Sequence, residues 1–248
     1  VSAVAFLIAY IILAYVQLQT CASVMAPLFN VNWNVAVVIS AVLIMIYTYF
    51  GGMHALAVTG ILYLVTMYLG LGIAFAVGLG KVGGLSGLSE TLVAMGGPEN
   101  PYNPFSAGVG GSVALLVGGL LGGMAAQASI QPVFAARNVE TARKASMLAG
   151  LIVAPFGIMT AFLGLFARTG LFFGEGVEVT AKTALPTLLR TPEFIPPVLG
   201  GLALAGVLAA ILSTVGPVNF AVVTIAAKDI YHGIINREAD DRKIVSTA

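Results

Sequence analysis

The sequence predicts an all-α fold, a multi-pass transmembrane helical bundle, and two observations lead to this prediction. Of the 248 residues, 59% are hydrophobic and 8% are charged, whereas a soluble domain carries about 25% charged residues. Charged residues are also missing from four long stretches: 1–80, 100–136, 145–167 and 194–227. A chain of this composition cannot cover a surface that faces water. We therefore expect residues 1–248 to form a single integral membrane domain.

The apolar stretches have room for six membrane spans, because a spanning helix needs about 20 apolar residues. We expect these helices at 3–28, 35–50, 55–80, 109–131, 147–171 and 197–227. Segments such as "AVVISAVLIMI" are apolar on every face, which is typical of helices immersed in lipid. The chain begins without Met and already inside an apolar run. We therefore expect the domain to be incomplete, as part of a longer protein.

The basic residues predict how the helices are oriented in the membrane. Six spans sort the connecting loops into two sides. One side carries seven basic residues: Arg137, Arg143, Lys144, Lys228, Arg237, Arg242 and Lys243. The other side carries four: Lys81, Arg168, Lys182 and Arg190. Since cytoplasmic loops hold the excess of Lys and Arg, we expect the loop 132–146 and the C-terminal tail 228–248 in the cytoplasm, with the protein in the cell membrane.

Two loops on the outer side are long. Residues 81–107 are rich in Gly and end in "GPENPYNPF", which predicts an ordered, non-helical cover. Residues 172–196 contain "EVTAKTALPTLLR", which predicts a short surface helix. Long loops act as functional lids in some proteins and as simple connectors in others, and the sequence leaves both open.

The last span carries a group of polar residues near its middle. Ala210, Ser213 and Thr214 are spaced i, i+3 and i+4, so that a carbonyl and two hydroxyls share one helix face. In one interpretation each hydroxyl bonds back to the carbonyl of the preceding turn, as buried Ser and Thr often do. In the other, these oxygens hold a small alkali cation. Pro217 supports the second interpretation, because it cannot donate to the carbonyl of Ser213 and transporters hold ions at such helix breaks.

The fourth and first spans contain further candidate positions. The fourth span is rich in glycines, at positions 110, 111, 118, 119, 122 and 123. Close helix packing explains most of them, although a Gly-interrupted span also indicates a discontinuous helix at a transport site. Gln127 follows these glycines, and Gln17 lies in the first span. Each amide either bonds a neighbouring helix or contacts a solute.

The residue types that are missing limit the possible chemistry. No predicted span contains a carboxylate or an amine embedded in the membrane, since Arg168 lies near the end of its span, whereas a proton relay in a membrane needs a titratable group. A sodium site of neutral oxygens is therefore easier to build in this chain than a proton relay. Nucleophile–base pairs, metal-ligand clusters and a phosphate-binding loop are also missing from the sequence. We therefore expect no enzyme activity.

Three segments together resemble the sodium/solute symporter family. They are "IYTYFGGMHALAVTG" (46–60), "PVFAARNVETARKA" (132–145) and "LAAILSTVGPVNFAVVTIAAKDIY" (208–231). The resemblance runs over nearly the whole chain and implies the leucine-transporter-type fold with two inverted five-helix repeats. On that template the six spans are core helices three to eight.

The resemblance also implies roles for particular residues. In the family, the eighth core helix gives a carbonyl and two hydroxyls to a sodium ion, and the broken first core helix, which this chain lacks, completes the site. The matching positions are Ala210, Ser213 and Thr214. The third and sixth core helices line the solute cavity, which implies substrate contacts for Gln17 and Gln127. The implied partners are Na⁺ as coupling ion, a small organic solute and the bilayer, with neither an organic cofactor nor nucleic acid.

The chain departs from the family pattern at several positions. After the Gly-Gly turn the family commonly has Asp and, three residues later, Gln, whereas this chain has Gly60 and Tyr63. Pro132 replaces a family Arg. Two alternatives to sodium symport stay open: a transporter-like sensor fused to a signalling module, and an uncoupled or proton-driven carrier. The solute, the ion stoichiometry and the oligomeric state are not determined by the sequence.

Overall fold

The computed structural model describes residues 2–50, 53–106, 108–174 and 179–238, and this part of the chain is helical without strands. The helices are α1 (Ser2–Phe29), α2 (Trp33–Phe50), α3 (Met53–Lys81), α4 (Gly84–Ala94), α5 (Val109–Ala125), α6 (Gln127–Phe134), α7 (Val139–Arg168), α8 (Ala184–Arg190) and α9 (Pro197–Thr224). A π-helical extension (Ile225–Ile235) continues α9. The predicted all-α class is confirmed.

Several helices are suited to a lipid environment. Within the described residues, four helical stretches are long and apolar enough to cross a bilayer: Ser2–Phe29, Val58–Lys81, Val139–Arg168 and Pro197–Ile235. Each of them overlaps one predicted span. Helices α2 and α5 are also apolar, but their apolar stretches are shorter. The chain is therefore a multi-pass membrane protein, and the count of six spans stays a prediction.

Three predicted boundaries differ from the structure. The span expected at 109–131 is divided into α5 and α6. Helix α7 begins at Val139, inside the expected loop 132–146, because the Asn138 side chain accepts a hydrogen bond from the backbone N–H of Thr141 at 2.8 Å and caps the helix. At the other end of the chain, helical structure continues to Ile235, beyond the expected start of the tail at 228. Hydropathy thus located the membrane segments but not the polar helical turns next to them.

One of the two long loops contains more helix than the sequence indicated. The stretch 81–107 was expected to be non-helical, yet it contains α4. The segment after α4 is irregular as predicted, and it is held in place by the Tyr102 hydroxyl, which donates to the Leu85 carbonyl at 2.6 Å. Desolvation raises the pKa of Tyr102 above its ordinary value. Helix α8 confirms the short helix expected within 172–196.

The chain forms two compact units. The first comprises Val1–Leu64 with Leu208–Ala248, and the second comprises Val65–Val207. In the first unit α1 packs against α2 and against the π-helical extension. Cys21 and Ser40 are both fully buried there. Nothing in these contacts tests the expectation of a single domain over 1–248, which stays a prediction.

Aromatic side chains fill the core of the second unit. Phe166 and Phe194 are completely buried, and their ring centroids are 6.3 Å apart. Phe75 packs edge-on against Phe162 at 5.6 Å. Gly78 makes room for this cluster, because a Cβ atom at that position would lie 2.5 Å from the ring of Phe166.

A proline lies inside α7, close to a hydrogen bond that joins α7 to α3. Pro155 has no N–H and so cannot donate to the carbonyl of Leu151. The Tyr68 hydroxyl donates to the next carbonyl along the helix, that of Ile152. The bond also joins α3 to α7 within the second unit.

We predict that Gly70→Ala destabilises the second unit, whereas Gly72→Ala on the same helix does not. A Cβ atom at Gly70 would lie 2.5 Å from the Leu202 carbonyl oxygen and 3.0 Å from the Cα of Ala203, whereas one at Gly72 would meet nothing within 4 Å. Overpacking of this kind costs about 1–3 kcal/mol.

The measurement is the thermal unfolding temperature of the purified full-length protein in detergent. Because both substitutions exchange Gly for Ala in α3, the gain in helix propensity cancels between them. Equal unfolding temperatures for the two variants would contradict the close contact between α3 and α9.

Candidate cation and solute sites

Three oxygen atoms meet on one face of α9. The Ser213 hydroxyl donates to the Ala210 carbonyl at 2.8 Å, and the Thr214 hydroxyl donates to the same carbonyl at 3.2 Å. Ser213 is half-buried and Thr214 is exposed in the described structure. Helix geometry produces this arrangement, because residues three and four positions apart lie on the same face.

The hydrogen bonds are those that the first interpretation of the sequence expects, yet they leave the oxygens able to bind an ion. A hydroxyl that donates its proton keeps two lone pairs as acceptors. Around a hard cation with ligand distances of about 2.4 Å, neighbouring oxygens are roughly 3.4 Å apart. The observed separations of 2.8 and 3.2 Å are close to that value. They are also ordinary hydrogen-bond lengths, so the cation site stays a prediction.

A hydrogen bond between side chains holds α9 just beyond this cluster. The Asn219 amide donates to the Thr48 hydroxyl on α2 at 2.9 Å, and both side chains are half-buried. Pro217 lies inside α9 between the cluster and Asn219. The bond fixes this part of α9 against α2 inside the first unit. Sequence analysis missed the pair, because its two residues are 171 positions apart.

Helix α2 presents a polar face that sequence analysis also missed. The oxygens of Ser40 and Tyr47 are buried without a hydrogen bond of normal geometry among the described residues. Together with Thr48 they follow the spacing i, i+7 and i+8, which places all three on one face. The ring centroids of Tyr47 and Tyr63 are 6.1 Å apart. The Cys21 side chain lies beside Ser40, and the Tyr63 side chain lies beside Tyr47. The spacing of these hydroxyls in an apolar helix was the available signal.

The glycine-rich span is broken where α5 meets α6. Ala126 has an extended backbone, with φ −72° and ψ 113°, and Gln127 begins the next helix. A Cβ atom at Gly118 or Gly122 would meet nothing within 4 Å. In the described part of the chain, neither glycine therefore packs closely against another helix, although close packing was the simpler explanation of these glycines. The discontinuous helix is the feature that the structure does contain.

The two glutamines belong to different units. Gln17 lies in α1, in the first unit, and is half-buried. Gln127 lies in the second unit as the first residue of α6, and its side chain is outside the described residues. Of the five residues singled out from the sequence, the structure brings Ala210, Ser213 and Thr214 together.

Other metal chemistry finds no support in the described residues. Among them, no group of three or more His, Cys, Asp or Glu side chains is placed to hold a metal ion. The oxygens of α9 are neutral and hard, so they suit an alkali cation rather than a transition metal.

Comparison with known proteins agrees with a helical membrane protein that acts in transport. The profile of the sodium:solute symporter family (SSF) matches residues 1–248. The chain is also 25% identical over 241 residues to the high-affinity choline transporter 1 of Torpedo marmorata, which covers 92% of this chain and 40% of that protein. The chain thus spans less than half the length of this relative. The family and the relative are transporters, which confirms the expectation that the chain is not an enzyme.

Because the family profile covers every residue, the resemblance found in the three sequence segments is confirmed. The chain belongs to the sodium:solute symporter family.

Proposed function

We propose that the full-length protein couples the entry of Na⁺ to the uptake of a small organic solute by alternating access. The observation that carries this proposal is the family match over residues 1–248. Sodium is the coupling ion, and the transport cycle needs no organic cofactor. The solute is an amino acid, a carboxylate, a sugar or a molecule of similar size.

The proposed sodium ligands are the carbonyl of Ala210 and the hydroxyls of Ser213 and Thr214. The Ala210 carbonyl oxygen lies 2.8 Å from the Ser213 hydroxyl and 3.2 Å from the Thr214 hydroxyl. The resemblance implies that the broken first core helix, which lies outside this chain, supplies the remaining ligands. Binding of sodium would favour the outward-open state, in which the solute enters beside it.

The proposed solute contacts are Gln17 and Gln127. The break at Ala126 supports the second of these, because transporters place solute sites where a spanning helix is interrupted. The relative from Torpedo marmorata is a choline transporter, which makes choline the first solute to assay.

The proposed topology follows the family template. The six apolar segments are core helices three to eight of an inverted-repeat, leucine-transporter-type fold in the cell membrane. The loop 132–146 and the tail 228–248 lie in the cytoplasm. The distribution of Lys and Arg supports this orientation.

A second candidate function is an uncoupled or proton-driven carrier. Gly60 and Tyr63 favour it, because the family commonly has Asp and Gln at these positions. It predicts solute flux that does not depend on sodium and, if protons drive it, flux that a protonophore abolishes.

We predict that Thr214→Ala raises the sodium concentration for half-maximal uptake about tenfold or more. The substitution removes one oxygen ligand to a charged ion, and bonds to charged groups contribute roughly 1.5–3 kcal/mol. The measurement is solute uptake by the full-length protein in proteoliposomes, with sodium replaced by N-methylglucamine because choline is itself a candidate solute.

Thr224→Ala is the matched control. The Thr224 hydroxyl also bonds the carbonyl four residues earlier on α9, that of Phe220, at 2.7 Å. Both variants lose a hydroxyl that bonds its own helix, so Thr224→Ala should keep the wild-type sodium dependence while Thr214→Ala changes it. Unchanged sodium dependence in Thr214→Ala would argue against the sodium site.

We predict that Gln17→Ala and Gln127→Ala each raise the KM for the solute while leaving the sodium dependence unchanged. An amide that contacts the solute contributes to solute affinity and not to ion binding. Gln19→Ala, two positions from Gln17 and therefore on another helix face, should keep the wild-type KM. Initial rates at saturating sodium measure these values, and an unaltered KM in both variants would remove the two residues from the solute site.

We predict that a membrane-impermeant maleimide labels Glu99→Cys on intact cells but labels Val139→Cys only after permeabilisation. Both positions are exposed in the structure, and the proposed topology places them on opposite sides of the membrane. Cys21 is fully buried and serves as the background in the unsubstituted protein. Labelling of Val139→Cys on intact cells would reverse the proposed orientation.

A further inference from the structure

A cavity of about 520 Å³ lies in the second unit, between the irregular segment that follows α4 and the end of α7. Its lining includes Leu92, Met95, Pro98, Ser106, Leu165 and Arg168. The volume falls within the range of about 300–1,000 Å³ that is typical of small-molecule sites. Such sites combine an apolar wall with a few polar groups, and this lining has that composition.

The walls of the cavity are fixed by contacts within the second unit. The backbone N–H of Gly97 donates to the Leu92 carbonyl at 3.0 Å, which folds the irregular segment back onto α4. The ring of Tyr102 packs against that of Phe162 on α7, with centroids 5.7 Å apart. Because both ends of the segment are anchored, the cavity exists before a ligand enters. A preformed site loses less conformational entropy on binding.

Arg168 gives the cavity one positive charge. Among the described residues, the ion pair with an N–O distance within 4.0 Å joins Glu140 to Lys144, and both side chains are exposed. The guanidinium of Arg168 therefore has no carboxylate partner in this part of the chain. Lys81 differs, because its ammonium group donates to the Glu193 carbonyl. A planar guanidinium matches the two oxygens of a carboxylate.

We propose that this cavity binds a small organic carboxylate with an apolar body. The carboxylate pairs with Arg168, with the Ser106 hydroxyl as a second donor, and the apolar body lies against Met95 and Leu165. The lining contains neither the proposed sodium ligands of α9 nor the proposed solute contacts Gln17 and Gln127. The cavity is therefore a binding site additional to the proposed transport site, and it does not depend on sodium coupling.

The test is isothermal titration of benzoate into the full-length protein in nanodiscs, with empty nanodiscs as the blank. We expect benzoate to bind and its neutral analogue benzamide to bind about tenfold more weakly or not at all, because a guanidinium favours the charged group. Arg168→Gln should weaken benzoate binding about tenfold or more. Arg190→Gln removes an exposed charge outside the cavity and should leave the affinity unchanged.

A second variant keeps the test informative if Arg168→Gln does not fold. Met95→Trp lies outside the spanning helices and fills the cavity while Arg168 is retained, so it should abolish benzoate binding. Thr214→Ala should bind benzoate like the wild type, which separates this site from failure of the proposed transport function. The proposal is overturned if benzoate does not bind, if it binds Arg168→Gln or Met95→Trp with wild-type affinity, or if Thr214→Ala abolishes binding.

Discussion

Lipid hydrocarbon offers no hydrogen-bond partner, and the polar groups of this chain are arranged around that constraint. The hydroxyls of Ser213 and Thr214 turn back to a carbonyl of their own helix. The Tyr68 hydroxyl bonds a carbonyl next to the proline of α7, and the Asn219 amide bonds a threonine of α2. These partners are internal to the chain. Each of these hydroxyl and amide donors therefore has a partner without water.

The same constraint explains why neutral oxygens suit the handling of an ion in this chain. An isolated charge in the membrane is costly, whereas the hydroxyls of α9 are satisfied by the Ala210 carbonyl when no ion is bound. A hard cation collects about six oxygen ligands, and α9 provides three. If α9 holds sodium as proposed, the other ligands come from elsewhere, and the chain spans 40% of the length of its relative from Torpedo marmorata.

Sequence patterns predicted some helices well and others only in part. The apolar run at 3–28 became α1 almost without change. The charged segment before residue 147 reads as a loop on hydropathy, yet the Asn138 cap and the pair between Glu140 and Lys144 extend α7 through it. Hydropathy reports immersion in lipid rather than helicity. The glycines of α5 were ambiguous for a related reason, because their small size permits either close packing or a helix break. Only the presence or absence of a neighbouring helix distinguishes these two possibilities.

The sequence by itself determined the membrane class, the apolar segments and the oxygen cluster of α9. Each of these depends on composition or on residues within one helical turn, whose distances follow from helix geometry. The tertiary structure decided which distant groups meet: the bond between Asn219 and Thr48, the close approach of Gly70 to Leu202, and the cavity beside Arg168. Such contacts depend on how helices pack, and packing is fixed by the shapes of many side chains together rather than by any local pattern.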